Sequence, residues 1–217
     1  MTTMGARSGR TGDTQGSRDD GLTIRQATGN DLDDVIEIGH RTWPVIYEPI
    51  AGIDYVAMGL AKWWTSDVVA ASIRRGQTLV AELAGDVIGM VAFGTQNGDF
   101  VVWKLYVLPE HHGKGIGSRL MDAVVDRALE GGHTRITVAY PAGNGYAERF
   151  HRAHGFVESH REPSGSGLPD TIWMVRELGS SDGAAGESDG AAGASDGAAG
   201  VSDGAAGVSD GAAGEST

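Results

Sequence analysis

Glycine recurs at every second position of H-H-G-K-G-I-G-S, residues 111–118, as Gly113, Gly115 and Gly117. An apolar run precedes this stretch and a helix-like pattern follows it, so the glycines stand at the entrance of a helix. The first turn of a helix carries unpaired backbone N–H groups and the positive end of the macrodipole. Glycines there let the backbone approach a ligand and adopt positive φ, which turns successive amides into a nest for a phosphate or pyrophosphate. The chemistry expected of His112, Gly113, Lys114, Gly115, Ile116, Gly117 and Ser118 is anion binding by backbone donors. Two familiar phosphate loops do not fit. GxxxxGK[ST] fails because Lys114 is followed by Gly115 and Leu108 stands five before Gly113, and GxGxxG fails because its third glycine would fall on Ser118.

A second polar cluster lies in A-G-N-G-Y-A-E-R-F-H-R-A-H-G-F, residues 142–156. Asn144 can cap a helix whose apolar face includes Ala147 and Phe150, with Gly155 as its stop. His151 and His154 lie on that helix, and His160 follows. No carboxylate or cysteine completes a ligand spacing with these histidines, so no metal is expected.

The elements that must position both clusters follow from periodicity. Phe100 to Leu108 is an apolar strand closed by Pro109, and Ile116, Leu120, Met121, Val124, Val125, Ala128 and Leu129 form a one-faced helical stripe ended by Gly131-Gly132. Upstream, Leu22 to Arg25 reads as a strand, and Thr28 to Asp31 caps a helix running from Leu32 to about Trp43, where Pro44 is expected to end it. A kinked aromatic connection, a helix from about Ile53 and a helix over Ser66 to Arg75 come next. Thr78 to Leu83, Val87 to Phe93 and Phe100 to Leu108, separated by short Gly-Asp and Asn-Gly loops, predict an antiparallel meander. Arg135 to Ala139, reached through the central helix, predicts a parallel neighbour, and Phe156 to His160 and Thr171 to Leu178 are the last strands. The fold class is α+β with a mixed sheet of about seven strands and about four flanking helices.

Residues 22–178 resemble the GNAT family of N-acetyltransferases. Val107 and Pro109, then Gly115 and Gly117, match V-x-P followed by [QR]-x-x-G-x-[GA], with His112 where the family usually has Gln or Arg. Asn144, Ala147, Phe150, Gly155 and Phe156 match N-x-x-A-x-x-F-Y-x-x-x-G-F, with His151 where most members carry tyrosine. The opening I-R-x-A-T-x-x-D-L fits as well. The resemblance implies a GNAT-like acyl-CoA N-acyltransferase fold with acetyl-CoA as cosubstrate. It implies a pyrophosphate held by the amides of His112 to Gly117, a pantetheine arm paired with the backbone of Leu105 and Val107, and Ser118 and Asn144 in the same site. Val107 N–H would polarise the thioester carbonyl. His151, in the tyrosine position, would protonate the departing thiolate, a task suited to a group that titrates near neutrality. Trp43, Tyr47 and Glu48 would lie over the acceptor. Glu48, Asp99 and Tyr106 remain as alternatives for the base that an amine of pKa near 10.4 requires.

The 217 residues carry a net charge of −12, and much of it lies in the tails. From Ser181 the unit SDGAAGx repeats five times, so residues 180–217 hold five Asp and two Glu without a base. Two glycines per unit and no a/d seam exclude a coiled coil, and the composition predicts a disordered tail. Residues 1–20 are expected to be a disordered tail without a signal-peptide core. Residues 21–179 form the domain, with 19 acids against 14 bases and no support for a nucleic-acid partner. The absence of cysteine removes disulfides and acyl-cysteine chemistry, and no segment has the length of a membrane span. The expected compartment is the cytoplasm, and a homodimer is compatible with these features. The function implied is acetyl transfer to a primary amine of a small molecule or peptide in a ternary complex. The alternatives are a non-catalytic acyl-CoA-binding sensor or regulatory domain, and a scaffold acting through its repeat tail.

Overall fold

Seven strands form one sheet in the computed structural model, which describes residues 21–165 and 167–179. The expectations for residues 1–20 and 180–217 lie outside the described residues. The strands are β1 Leu22–Gln26, β2 Thr78–Leu83, β3 Asp86–Gln96, β4 Asp99–Val107, β5 Arg135–Pro141, β6 Val157–Glu162 and β7 Thr171–Glu177. Their order is β1-β2-β3-β4-β5-β7-β6, antiparallel throughout except for the parallel β4–β5 pair. Ala84-Gly85 and Asn97-Gly98 close the two hairpins of the meander, all four residues at positive φ, as a two-residue turn matched to strand twist requires.

Five α-helices cover the sheet: α1 Leu32–Ala51, α2 Ile53–Trp63, α3 Ser66–Arg74, α4 Ile116–Glu130 and α5 Gly145–Ala153. One face packs α4 and α5 in a core that includes Leu105, Val107, Leu120, Val138, Phe150 and Phe156. The other packs α1 to α3 on β2 to β4 through Trp43, Tyr47, Trp64, Met90 and Tyr106. Gly39 and Gly59 are the seats for this second core: a Cβ at Gly39 would collide with the Trp64 ring, and one at Gly59 with the Trp43 ring. Thr28 and Asp31 form the expected capping box, and Arg25 grips the Asp31 carboxylate with two bonds of 2.7 and 2.8 Å.

Pro44 does not end α1. The helix passes through both Pro44 and Pro49 and stops at Gly52, whose φ is 83°. A proline in a helix removes the bond to the carbonyl four residues back. Here the carbonyls so deprived belong to His40 and Val45, both solvent-exposed positions where water can replace the lost donor. Trp43 and Tyr47, at 1% and 0% exposure, hold the opposite side of the same turns in the core.

One irregularity in β4 creates the site. Val102 pairs with Phe93 and Lys104 with Ala92, which leaves Trp103 as an extra residue, a β-bulge. The bulge changes parity, so that Phe100 and Val102 share a face with Leu105 and Val107. Pairing between β4 and β5 spans only Phe100–Ile136, Val101–Thr137 and Val102–Val138. Beyond that rung β4 bends away, while β5 continues alongside β7 to Pro141. The sheet therefore forks at Val102.

Candidate functional site

The glycine loop lies beyond the end of one arm of the fork. After β4, Pro109–His111 makes a 3₁₀ turn and His112 N–H donates to Pro109 O at 3.2 Å. The His112 ring donates through Nε2 to Val107 O at 2.8 Å, tying the loop back to β4. Gly113 and Gly115 adopt φ of 73° and 76°, the left-handed region. The first amide of the helix with a backbone acceptor is that of Arg119, bonded to Gly115 O. The amides of Gly113, Lys114, Gly115, Ile116 and Gly117 thus have no acceptor among the described residues, and they form the nest anticipated from the glycine spacing. His112 differs from that expectation: its amide is already used, and its contribution is to anchor the loop. At Gly117 a Cβ would stand 3.2 Å from the Phe150 ring, so glycine here permits the close approach of α4 and α5.

Within the fork the strand geometry aims backbone groups at the gap. Leu108 N–H donates to Ile88 O on β3, and strand alternation places the N–H and C=O of Leu105 and Val107 on the opposite side, facing β5. No parallel partner meets them, because the ladder has ended at Val102. Asn144 sits where β5 gives way to α5. Its Oδ1 accepts from Ala147 N–H at 3.0 Å, capping the helix, while its Nδ2 is buried without a partner. Across the same loop, a Cβ at Gly143 would be 3.3 Å from Ile50, so the end of α1 reaches this side of the fork.

His151 is fully buried on α5, between Tyr140 at 5.9 Å and the rings of Phe150 and Phe156, each at 5.4 Å. Neither ring nitrogen has a partner. Burial, helped by His154, pushes its pKa from 6.5 down to about 3, so the imidazole is neutral at pH 7. An unpaired buried polar group costs about 1–3 kcal/mol. Asn144 at the cap of α5 and His151 within it therefore both carry buried, unsatisfied hydrogen-bonding atoms.

The residues expected over the acceptor do not gather there. Trp43 and Tyr47 are core residues, packed against one another at 4.6 Å, with Tyr47 Oη 3.1 Å from Tyr106 Oη. Burial beside Tyr106 drives the Tyr47 pKa well above the usual range. Glu48 is exposed and, with Pro44, Val45 and Pro49, borders a shallow groove on the outside of α1. The alternatives for a base fare similarly. Asp99 is held bidentately by Arg135 at the start of β4, eight residues or roughly 25 Å from Val107. Tyr106 is buried against Tyr47.

A polar groove on the open half of the α1 face went unread in the sequence. It has a volume of about 260 Å³ and is lined by Asn97, Asp99, Thr137, His160, Glu162 and Trp173, among others. The available signal was the i, i+2 spacing of His160 and Glu162, which puts both on one face of β6.

Comparison with known proteins adds an independent line. The model of the acetyltransferase (GNAT) family matches residues 32–156. An uncharacterized N-acetyltransferase of Mycobacterium tuberculosis, Rv2669, is 28% identical over 154 residues, covering 68% of this chain and 98% of that protein. Among solved structures, the PaiA N-acetyltransferase of Thermoplasma acidophilum, in complex with coenzyme A, superimposes with a TM-score of 0.65 at 20% identity, covering 72% of this chain and 99% of that one. YncA of Salmonella typhimurium, solved with its cofactor acetyl-CoA, gives a TM-score of 0.56 at 25% identity, covering 73% of this chain and 95% of that one.

Proposed function

The chain belongs to the GNAT acetyltransferase family, and from that premise we propose that it is an acetyl-CoA-dependent N-acetyltransferase, passing the acetyl group directly to a primary amine of a small molecule or peptide while both are bound. The observation that carries this is the fork: two strand arms with unpaired backbone groups, leading to a nest of five amides.

The residues present suit acetyl-CoA, which supplies an activated acyl group when bound. The amides of Gly113 to Gly117 would hold the pyrophosphate, with Lys114 and Ser118 at the same turn. The C=O of Leu105 and the N–H of Val107 would match the amides of a pantetheine arm lying along β4. Asn144 Nδ2 is a buried donor for one of its carbonyls. An arm entering at the nest and running inward would have its acyl end nearest the closed end of the fork. Leu105 is closer to that end than Val107, and Val107 O is already occupied by His112. Leu105 N–H is therefore the better placed donor to the thioester oxygen, and Val107 N–H falls to the arm.

Burial also changes the role open to His151. With a pKa of about 3, only about one imidazole in 10⁴ is protonated at pH 7. In the tyrosine position of the family pattern, a neutral His151 would offer an N–H to the departing sulfur and would not serve as the proton donor. When the N–C bond forms and the C–S bond breaks, the proton lost by the amine and the one gained by the sulfur would be exchanged through solvent.

The test combines binding and turnover. Acetyl-CoA should raise the melting temperature, and free thiol should appear with at least one amine from a panel of amines, amino acids and peptides. Gly115→Asp, which forces a branched, negative side chain into a left-handed position at the nest, should lose both. Stabilisation that persists in a folded Gly115→Asp protein would exclude the nest. The second reading, a domain that binds acyl-CoA without turnover, draws on the buried, neutral His151; stabilisation with no thiol release from any amine would select it.

A further inference from the structure

The core beneath α1 to α3 takes its strand residues from β2, β3 and β4 only, which leaves the same face of β5, β7 and β6 without that cover. The polar groove lies on this open half-face. Val101 and Thr137, in its lining, form the rung immediately before the last paired rung of the fork. A molecule in the groove thus lies directly behind the point where β4 and β5 part.

Three features of the groove define what it would take. His160 stacks on Trp173 with ring centroids 5.8 Å apart and planes 6° from parallel, and Ser159 Oγ holds its Nδ1 at 2.7 Å. The pair makes a flat shelf suited to an alkyl chain. Trp173 Nε1, in the floor, is a buried donor without an acceptor. The two nearby carboxylates differ in charge balance. Asp99 is neutralised by Arg135 through bonds of 2.6 and 2.9 Å. Glu162 has no lysine or arginine partner among the described residues, and the His160 imidazole lies beside it with Nε2 at 3.7 Å.

Glu162 is not suited to hold the nitrogen that is acetylated. A carboxylate beside that amine would favour the ammonium form, which cannot attack. Glu162 also lies on β6, two strand spacings or about 10 Å from β5. We propose that the groove binds the acceptor and selects an alkyl diamine, the second ammonium pairing with Glu162, the chain lying on the His160–Trp173 shelf and the reacting amine reaching the fork. This rests on the transfer reaction proposed above.

The experiment compares 1,5-diaminopentane with pentylamine at saturating acetyl-CoA, using the full chain. The diamine should have the higher kcat/KM, by about fivefold, the scale of a partly exposed ion pair. Glu162→Gln should remove that advantage by lowering the diamine's kcat/KM about fivefold relative to that of pentylamine, and Glu162→Lys should invert it. Melting temperatures equal to the parent in the presence of acetyl-CoA would show that both variants are folded and loaded. Equal kcat/KM for the two amines in the parent, or equal losses for both in Glu162→Gln, would overturn the inference and leave the transferase standing. No turnover of either amine, with thiol released from another member of the amine panel, would overturn the inference alone, and no release from any member would remove both.

Discussion

The burial of His151 makes a quantitative prediction about acid stability. An imidazole that titrates at 6.5 in the unfolded chain and at about 3 in the fold leaves a window in which only the unfolded state binds the proton. Stability must therefore fall as pH falls through 6.5 toward 3, by about 2 kcal/mol between pH 7 and pH 5 for this one group. For a protein of this size that corresponds to roughly 4–8 °C in Tm. His151→Phe removes the titration and replaces two unpaired nitrogens by carbon within a ring of aromatic neighbours. Urea unfolding of parent and variant at pH 7 and pH 5 isolates the effect, because every other titrating group is common to both proteins. The parent should lose about 2 kcal/mol more than the variant over that interval. Parallel losses, equal within about 0.5 kcal/mol, would mean that His151 titrates at its ordinary value, and the neutral-donor role would fall with it.

Gly59→Ala should destabilise the fold by about 1–3 kcal/mol or more, because its Cβ would overlap the Trp43 ring and separate α1 from α2; thermal unfolding measures it. Asp31→Ala should cost about 1–3 kcal/mol at pH 7 through loss of the capping box and of a carboxylate gripped by Arg25. Because Arg25 holds the Asp31 pKa far below its usual value, that difference should be full above pH 4 and shrink as pH falls further. Truncation after Gly179 should leave both the melting temperature and acetyl-CoA affinity unchanged, since the seven strands and both described cores lie within residues 21–179; a shift in either would refute it.

Most of the scaffold was legible because each element carried its own punctuation. The hairpin turns, the Thr28–Asp31 cap and the glycine nest were read directly from residue type and spacing. The errors arose where tertiary contacts outweigh local rules. Pro44 reads as a stop, yet Val35, Ile38, Thr42, Trp43 and Tyr47 form a stripe whose burial carries α1 onward. The same stripe marks Trp43 and Tyr47 as core residues, a signal obscured by their aromatic character. His151 stands four residues after Ala147 and next to Phe150, on the buried face of α5, so its desolvation was also available from helical spacing. The bulge had no signal of this kind, because β4 is apolar on both faces over Phe100–Val102 and shifting the pattern by one residue leaves it looking the same.

That bulge has a consequence for how this protein can vary. Trp103 matters chiefly as a position in a count. Its side chain is only half-buried, and the parity change it introduces would survive replacement by many other residues. Removing it would leave Val102 opposite Phe93 and Lys104 opposite Ala92 with no extra residue between them, return β4 to unbroken alternation and restore the conditions for β4 to continue alongside β5. A substitution scan would score position 103 as tolerant, while a one-residue deletion there would seal the fork with every proposed ligand-binding residue still present. The cleft is thus encoded in the length of a strand, and an aligned relative lacking that residue would be expected to keep the sheet and lose the opening.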